Sequence, residues 1–287
     1  MFTSPRDLTL DDIPSAMELT VAARWNQTPE DWNLILGLTP HGCRCIEAAG
    51  EVVATTTLLA YGTVLAWVGM VLTRPQYRRQ GLATRLMEDA IANAERDGIC
   101  TLKLDATDEG RPLYESLGFI VEGAVERWGR DKIASVSNDE TLNEELLSQE
   151  YQWGRTIPTH LFALDEEAFG VSREQILNEL SASGGNTSAN GYVLSRSGRL
   201  ARSIGPCIAT SEDEARRLIA THLDTRNSAT GDPEDWYWDL LPANAAAVKC
   251  AREFGFTRRR TLWRMRRGKP ISNNDAMVFA TAGFELG

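Results

Sequence analysis

The chain has 287 residues, 43% of them hydrophobic, and a formal net charge of −10. That length allows one or two domains with substantial cores, and the acidic balance argues against nucleic acid as a partner. No apolar run is long enough to span a bilayer and no signal-peptide pattern opens the sequence, so a soluble protein is expected. The five cysteines (Cys43, Cys45, Cys100, Cys207 and Cys250) form no CxxC pair and lie mostly in apolar runs, which reads as buried, reduced thiols of a cytoplasmic protein. No zinc or other metal site is expected.

In chain order, a first helix opens near Thr9 or Asp11, with Pro14 tolerated early, Ile13, Met17 and Val21 on its inner face, and an end near Arg24. Thr28, Pro29 and Asp31 then spell a second helix start: a cap, a first-turn proline and the partner of a capping box. Residues 43–47 and 52–60 are β-rich, and Gly62-Thr63 turns the second run back into 65–72, which makes an antiparallel meander.

Residues 67–87 are the centre of the chain. Val68, Met70, Val71 and Leu72 form a strand that breaks at Thr73-Arg74-Pro75, and a loop follows at Tyr77-Arg78-Arg79-Gln80-Gly81. From Leu82 the apolar positions fall at Leu82, Leu86, Met87, Ala90, Ile91 and Ala94, a helical spacing. A loop of free N–H groups at a helix start, with arginines around it, suits a phosphate or pyrophosphate. Residues 52–87 hold no acidic residue, yet they carry Arg74, Arg78, Arg79 and Arg85 in a strongly acidic chain.

Neither GxxxxGK[ST] nor GxGxxG is present. The pattern Arg78-x-x-Gly81-x-Ala83, after a strand and opening a helix, instead resembles the pyrophosphate loop of the GNAT superfamily of acyl-CoA-dependent N-acyltransferases. The resemblance continues in residues 102–107, LKLDAT, and in 113–119, LYESLGF. It implies splayed parallel strands with pantetheine in the gap, held by the backbone of Met70, Val71 and Leu72. The pyrophosphate would lie on Arg78, Arg79, Gln80, Gly81, Leu82, Ala83 and Thr84, with Thr107, Arg111 and Tyr114 nearby. Tyr114 would be the catalytic acid, since a phenol of pKa about 10 keeps a proton to give to a leaving thiolate. By the same resemblance Trp25, Asn26, Gln27 and Asp31 would face the acceptor, while Trp32 reads as core. Thr107 and Gly110 stand where many relatives carry Asn and Ala. For a general base, Asp31, Glu47 and Asp105 are the nearest carboxylates by sequence logic, beside a water relay.

Residues 130–155 read as a polar, acidic linker with a helical piece. A second unit follows, with a helix boxed by Ser172 and Gln175 and a loop at 181–190. It repeats the first: IGPCI at 204–208 parallels VGMVL at 68–72, Asn244 to Phe256 has the spacing of Thr107 to Phe119, and Arg264 matches Arg127. Its loop after the strand reads Thr210-Ser211-Glu212-Asp213-Glu214, acidic where a pyrophosphate needs cations, and Ala251 stands where Tyr114 should be. The basic run at 258–267 reads as the solvated side of an edge strand, and the apolar tail at 276–287 as docked, with a final strand.

The expected fold is α/β, two GNAT-like domains, each a mixed, mostly antiparallel twisted sheet flanked by helices with splayed central parallel strands. The expected division is a catalytic domain at 1–129, a linker at 130–155, a degenerate domain at 156–270 and a tail at 271–287. The resemblance implies acetyl transfer from acetyl-CoA to a primary amine of a small molecule, by direct attack in a ternary complex. Acetylation of a protein lysine or N-terminus, and a non-catalytic acyl-CoA-binding or sensing module, are the alternatives. A homodimer is compatible with these features.

Overall fold

The computed structural model describes residues 1–132, 151–230 and 235–287, without the side chains of 226–230. Most of the expected linker, including its helical piece, lies outside the described residues. The first half runs β1 (Arg6–Asp7), α1 (Ile13–Ala22), α2 (Pro29–Leu38), β2 (Arg44–Ala48), β3 (Glu51–Tyr61), β4 (Leu65–Thr73), α3 (Leu82–Arg96), β5 (Thr101–Ala106), α4 (Arg111–Ser116) and β6 (Ile120–Arg130). The second runs β7 (Gln152–Gly154), α5 (His160–Phe169), α6 (Glu174–Ser181), β8 (Gly185–Ser188), β9 (Gly191–Arg196), β10 (Arg202–Ala209), α7 (Glu212–Thr230), β11 (Trp236–Leu240), α8 (Ala245–Glu253), β12 (Thr257–Gly268) and β13 (Val278–Ala280).

Local chemistry explains the boundaries. Thr28 and Asp31 cap each other at the start of α2, with Pro29 in its first turn. Val21, expected on the inner face of α1, is exposed, because the helix ends one residue later and the chain turns away through Arg24 at φ +56°. Helix α6 begins at Glu174 with no side-chain cap, so the expected Ser172 box does not form. The stretch read as a loop at 181–190 contains β8, which pairs with β9 and β7. Cys100 is exposed, unlike the other four thiols, because it precedes β5 just outside the sheet.

All thirteen described strands join one sheet, ordered β1-β2-β3-β4-β5-β12-β6-β11-β10-β9-β8-β7, with β13 on β10. The two halves exchange a strand. β12 of the second half lies antiparallel between β5 and β6, and β6 of the first lies between β12 and β11. This corrects the edge-strand reading of the basic run, which is central. Arg264 on β12 makes a bidentate pair with buried Asp105 (2.9 and 3.0 Å), and Arg127 on β6 makes the mirror pair with Asp239 (2.7 and 2.5 Å). Each half thus neutralises a buried carboxylate of the other, an arrangement in which removal of one partner is costly.

On one face of the sheet a shared core unites α1 and α2 with α5 and α6, through Leu19, Trp32, Leu161, Leu177 and Tyr192. On the other face the halves keep separate cores, Met87, Ile91 and Tyr114 in the first and Leu218, Cys250 and Phe256 in the second.

Candidate active site

The site is built where β4 and β5 part. They pair in parallel only at Leu65↔Thr101, Ala66↔Leu102 and Trp67↔Lys103, although β4 runs on to Thr73 and β5 to Ala106. Between Thr57↔Gly69 and Thr55↔Leu72 the β3–β4 register slips by one residue, and Met70, at φ +47°, sits in this bulge with its carbonyl accepting from Thr55 Oγ1 at 2.8 Å. The bulge bends β4 away from β5. A cleft of about 870 Å³ opens there.

Val71, Leu72, Arg78, Arg79, Gly81, Leu82, Ala83, Thr84, Thr107 and Tyr114 line this cleft together with Met70. Gly81 adopts φ +78° and Arg79 φ +60°, which coils the loop onto the start of α3. Among the described residues the backbone N–H groups of 79–84 donate to no protein acceptor, so a run of free donors and the positive end of a 15-residue helix lie at the cleft, which all of these residues but Gln80 line. Two expected residues do not reach the cleft. Gln80 donates back to the Gln76 carbonyl at 3.3 Å, and Arg111 is drawn along α4 to Glu115 at 2.6 Å and over the Trp263 ring.

Tyr114 is only 8% exposed, that remnant facing the cleft, and its hydroxyl bonds to no described residue. Burial pushes the phenol further above its ordinary value, so it is held protonated. It is placed by α4, whose first turn is folded back on Thr107: Gly110 N–H bonds the Thr107 carbonyl and Oγ1 at 3.1 and 3.2 Å. Thr107 therefore supplies the cap that Asn would.

The far end of the cleft was only half legible. Trp25 and Gln27 line it, whereas Asn26 and Asp31 do not. Asn26 is buried and spent on joining the halves: its amide donates to the Ala201 carbonyl and Ser203 Oγ and accepts from the N–H groups of Leu200 and Ala201. Asp31 caps α2 and pairs with Arg196 at 2.9 Å. Of the other carboxylates considered as bases, Glu47 is held by Arg6, and Asp105, which lines the cleft, is locked to Arg264.

Residues from the second half complete this end. Arg260, Thr261 and Leu262 of β12, with Phe284 and Glu285 of the tail, form its wall. The tail is docked on β3 and β4: Tyr61 donates to the Leu286 carbonyl at 2.6 Å and Trp67 Nε1 to the Phe284 carbonyl at 2.9 Å. A Cβ at Gly69 would stand 3.0 Å from Glu285, so the missing side chain there lets the tail approach this closely. Glu285 accepts from Gln27 Nε2 at 2.7 Å and from Arg196 at 2.6 Å, and burial raises its carboxyl above the usual glutamate range. Sequence reasoning missed Glu285. Its one signal was that it is the sole charge in an otherwise uncharged tail at 276–287.

The second half shows the same parting of strands, with β10 and β11 paired only from Arg202↔Trp236 to Ile204↔Trp238, but here β13 occupies the wedge. It pairs with β10 at Cys207↔Ala280 and Ile208↔Val278, and Thr281 N–H bonds the Asp239 carbonyl at 2.8 Å.

Comparison with known proteins agrees with this geometry. A family described as "Acetyltransferase (GNAT) domain" matches residues 40–121, and another of the same description matches 161–280. An uncharacterized N-acetyltransferase of Bacillus subtilis (strain 168), YitH, is 30% identical over 179 residues, 60% of each chain, so the match spans under two thirds of that relative. The fold is shared with a provisional acetyltransferase of Pyrococcus horikoshii (TM-score 0.84, 20% identity, 100% of this chain and 96% of that one). It is also shared with a tandem GNAT protein from the clavulanic acid biosynthesis pathway, whose structure was solved without AcCoA (TM-score 0.65, 14% identity, 94% and 99%).

Proposed function

Because the chain belongs to the GNAT superfamily as a tandem of two such domains, we propose that residues 1–129 form an N-acetyltransferase that moves the acetyl group of acetyl-CoA to a primary amine of a small molecule. Residues 156–270 then act as a non-catalytic partner. The observation that carries this reading is the coincidence, in one cleft, of loop and helix N–H groups with no acceptor among the described residues, a protonated tyrosine and a buried carboxylate.

The residues present fit coenzyme A. The loop at 79–84 and the start of α3 are a cradle for a pyrophosphate, with the Arg78 and Arg79 side chains beside it. The exposed backbone edge of β4 after the bulge is a ladder for the pantetheine amides. Acetyl-CoA bound there supplies an acyl carbon activated by a thiolate leaving group. Tyr114 holds the proton that a thiolate needs, and burial keeps it there at neutral pH. At the other side an ammonium must lose a proton before its nitrogen can attack. Glu285 is the candidate: it is paired with Arg196 as the other carboxylates are with theirs, but unlike Glu47 it lines the cleft, and burial raises its carboxyl so that it accepts a proton more readily than an ordinary glutamate, with Arg196 and Gln27 fixing its orientation. The balance is then one C–N bond formed and one C–S bond broken: of the two protons the ammonium nitrogen gives up, one passes to Glu285 before attack, and the second, lost after the C–N bond forms, makes good the proton that Tyr114 gives the departing thiolate.

A small acceptor is favoured because α1–α2, β12 and the tail all wall the acceptor end. The test is release of free thiol from acetyl-CoA on addition of small primary amines. Amine-dependent release supports the reading. Binding of acetyl-CoA with no release for any amine or peptide amine would replace it with a sensing role.

A further inference from the structure

The acceptor end of the cleft holds two orphaned polar atoms. Gln27 Oε1 is a buried acceptor and Arg260 Nε a buried donor, and neither has a hydrogen-bond partner among the described residues. Their orphaning follows from their neighbours. Gln27 spends its amino group on Glu285, which leaves its oxygen buried and without a partner among the described residues, behind the cleft wall. Arg258 and Arg259, beside Arg260 on β12, are paired with Glu126 and Asp131 at 3.2 and 2.7 Å, but Arg260 has no ion pair among the described residues. The carboxylates nearest it are already used: Asp239 by Arg127 in a bidentate pair, and Glu285 by Arg196 and Gln27.

What Arg260 has instead is the Phe284 ring, 5.0 Å from its guanidinium, with Arg127 4.5 Å from the same ring. Burial, and then the Arg127 charge, push Arg260 down to about 10. A half-buried cation in that state is relieved by an anion, and an orphaned amide oxygen beside a carboxylate is relieved by an ammonium or amine. One cleft wall therefore offers an anion site and a cation site side by side. The anion site has a single guanidinium, a planar fork of unit charge, which matches a carboxylate better than a dianionic phosphate.

We propose that the acceptor is an amino acid or close analogue, its amine seated on Gln27 Oε1 and Glu285 and its carboxylate on Arg260. This rests on the acetyl-transfer reading above and names its substrate class. The second half then contributes specificity as well as packing, since Arg260 and Glu285 both come from it.

The experiment uses the full chain and measures thiol release from acetyl-CoA with α- and ω-amino acids, each against its own carboxamide, rates being referred to the free-amine concentration. In at least one pair the acid is expected to exceed the amide in kcat/KM by roughly 10- to 100-fold, the size of a charge-assisted contact. In Arg260→Gln that ratio falls to near one, mainly through KM for the acid, and Arg260→Lys recovers part of it. Acetyl-CoA titrated into each variant reports that the fold and the cofactor end are intact. Equal use of acid and amide in every pair overturns the proposal, as does a preference that survives Arg260→Gln, which would leave Arg260 as packing on Phe284. Turnover of neither member of any pair also overturns it: if acetyl-CoA still binds, only the acceptor assignment fails, and if it does not, the acetyl-transfer reading fails as well.

Discussion

The two halves part their central strands in the same way and put the gap to different uses. Between β4 and β5 the wedge is open, its loop amides are unpartnered and a tyrosine faces it; between β10 and β11 the wedge is filled by β13. A Cβ at Gly205 would lie 2.1 Å from the Thr281 carbonyl, which shows how closely the chain is pressed into the second gap. The phosphate loop differs to match. In the second half Glu212 is paired with Arg216 and Lys249 at 3.0 and 2.7 Å, and Glu214 is hydrogen-bonded by Ser188, so carboxylates occupy the space an anion would need. The second half thus differs from the first twice, with acids where the first has arginines and with its own chain where the first has an open cleft. The segment that fills one wedge continues, within five residues, to wall the other with Glu285.

The largest effect that would break this comparison is at Tyr114, which has alanine as its counterpart in the second half. Tyr114→Phe should lower kcat about 10²- to 10⁴-fold with acetyl-CoA affinity retained, measured by thiol release and calorimetry. The mirror ion pairs come next. Arg264→Met and Arg127→Met should each cost about 3–5 kcal/mol in denaturant unfolding, because each strands a buried carboxylate. Only Arg264→Met should also impair transfer, since Asp105 lines the open cleft and Asp239 does not.

Glu285 sharpens the comparison through pH. Its carboxyl is raised by burial, so it stays protonated to a higher pH than an ordinary glutamate near 4.3. kcat/KM should therefore fall as pH drops through that raised value, and Glu285→Gln should lower the rate and remove that limb of the profile. The smallest effect is structural. Thr28→Ala removes the α2 cap and should cost about 1 kcal/mol without changing the pH profile.

What was legible in the sequence was local. The strand, loop and helix at 65–96 announce themselves through apolar spacing, a proline break and a run of arginines, and Tyr114 through its place in LYESLGF. The acidic loop of the second copy was legible for the same reason, as carboxylates at 212–214 where the first copy has arginines. The strand exchange was not. β12 has the same alternation whether it borders its own half or enters the other, and only the Arg264–Asp105 and Arg127–Asp239 pairs show why it crosses. Asn26 and Asp31 looked like pocket residues by position, yet both hold the halves together, by bonds to residues 165 to 177 positions away that no local pattern encodes. Arg260 and Glu285 escaped detection likewise: they reach the cleft only because β12 inserts beside β5 and the tail folds back over β4.

The central claim is that one wedge accepts coenzyme A and its twin does not. Calorimetric titration of acetyl-CoA into the protein and into an Arg79→Glu, Gly81→Asp variant tests it directly. One site per chain, abolished in the variant, is the predicted result; two sites per chain, or binding that survives the variant, would contradict it.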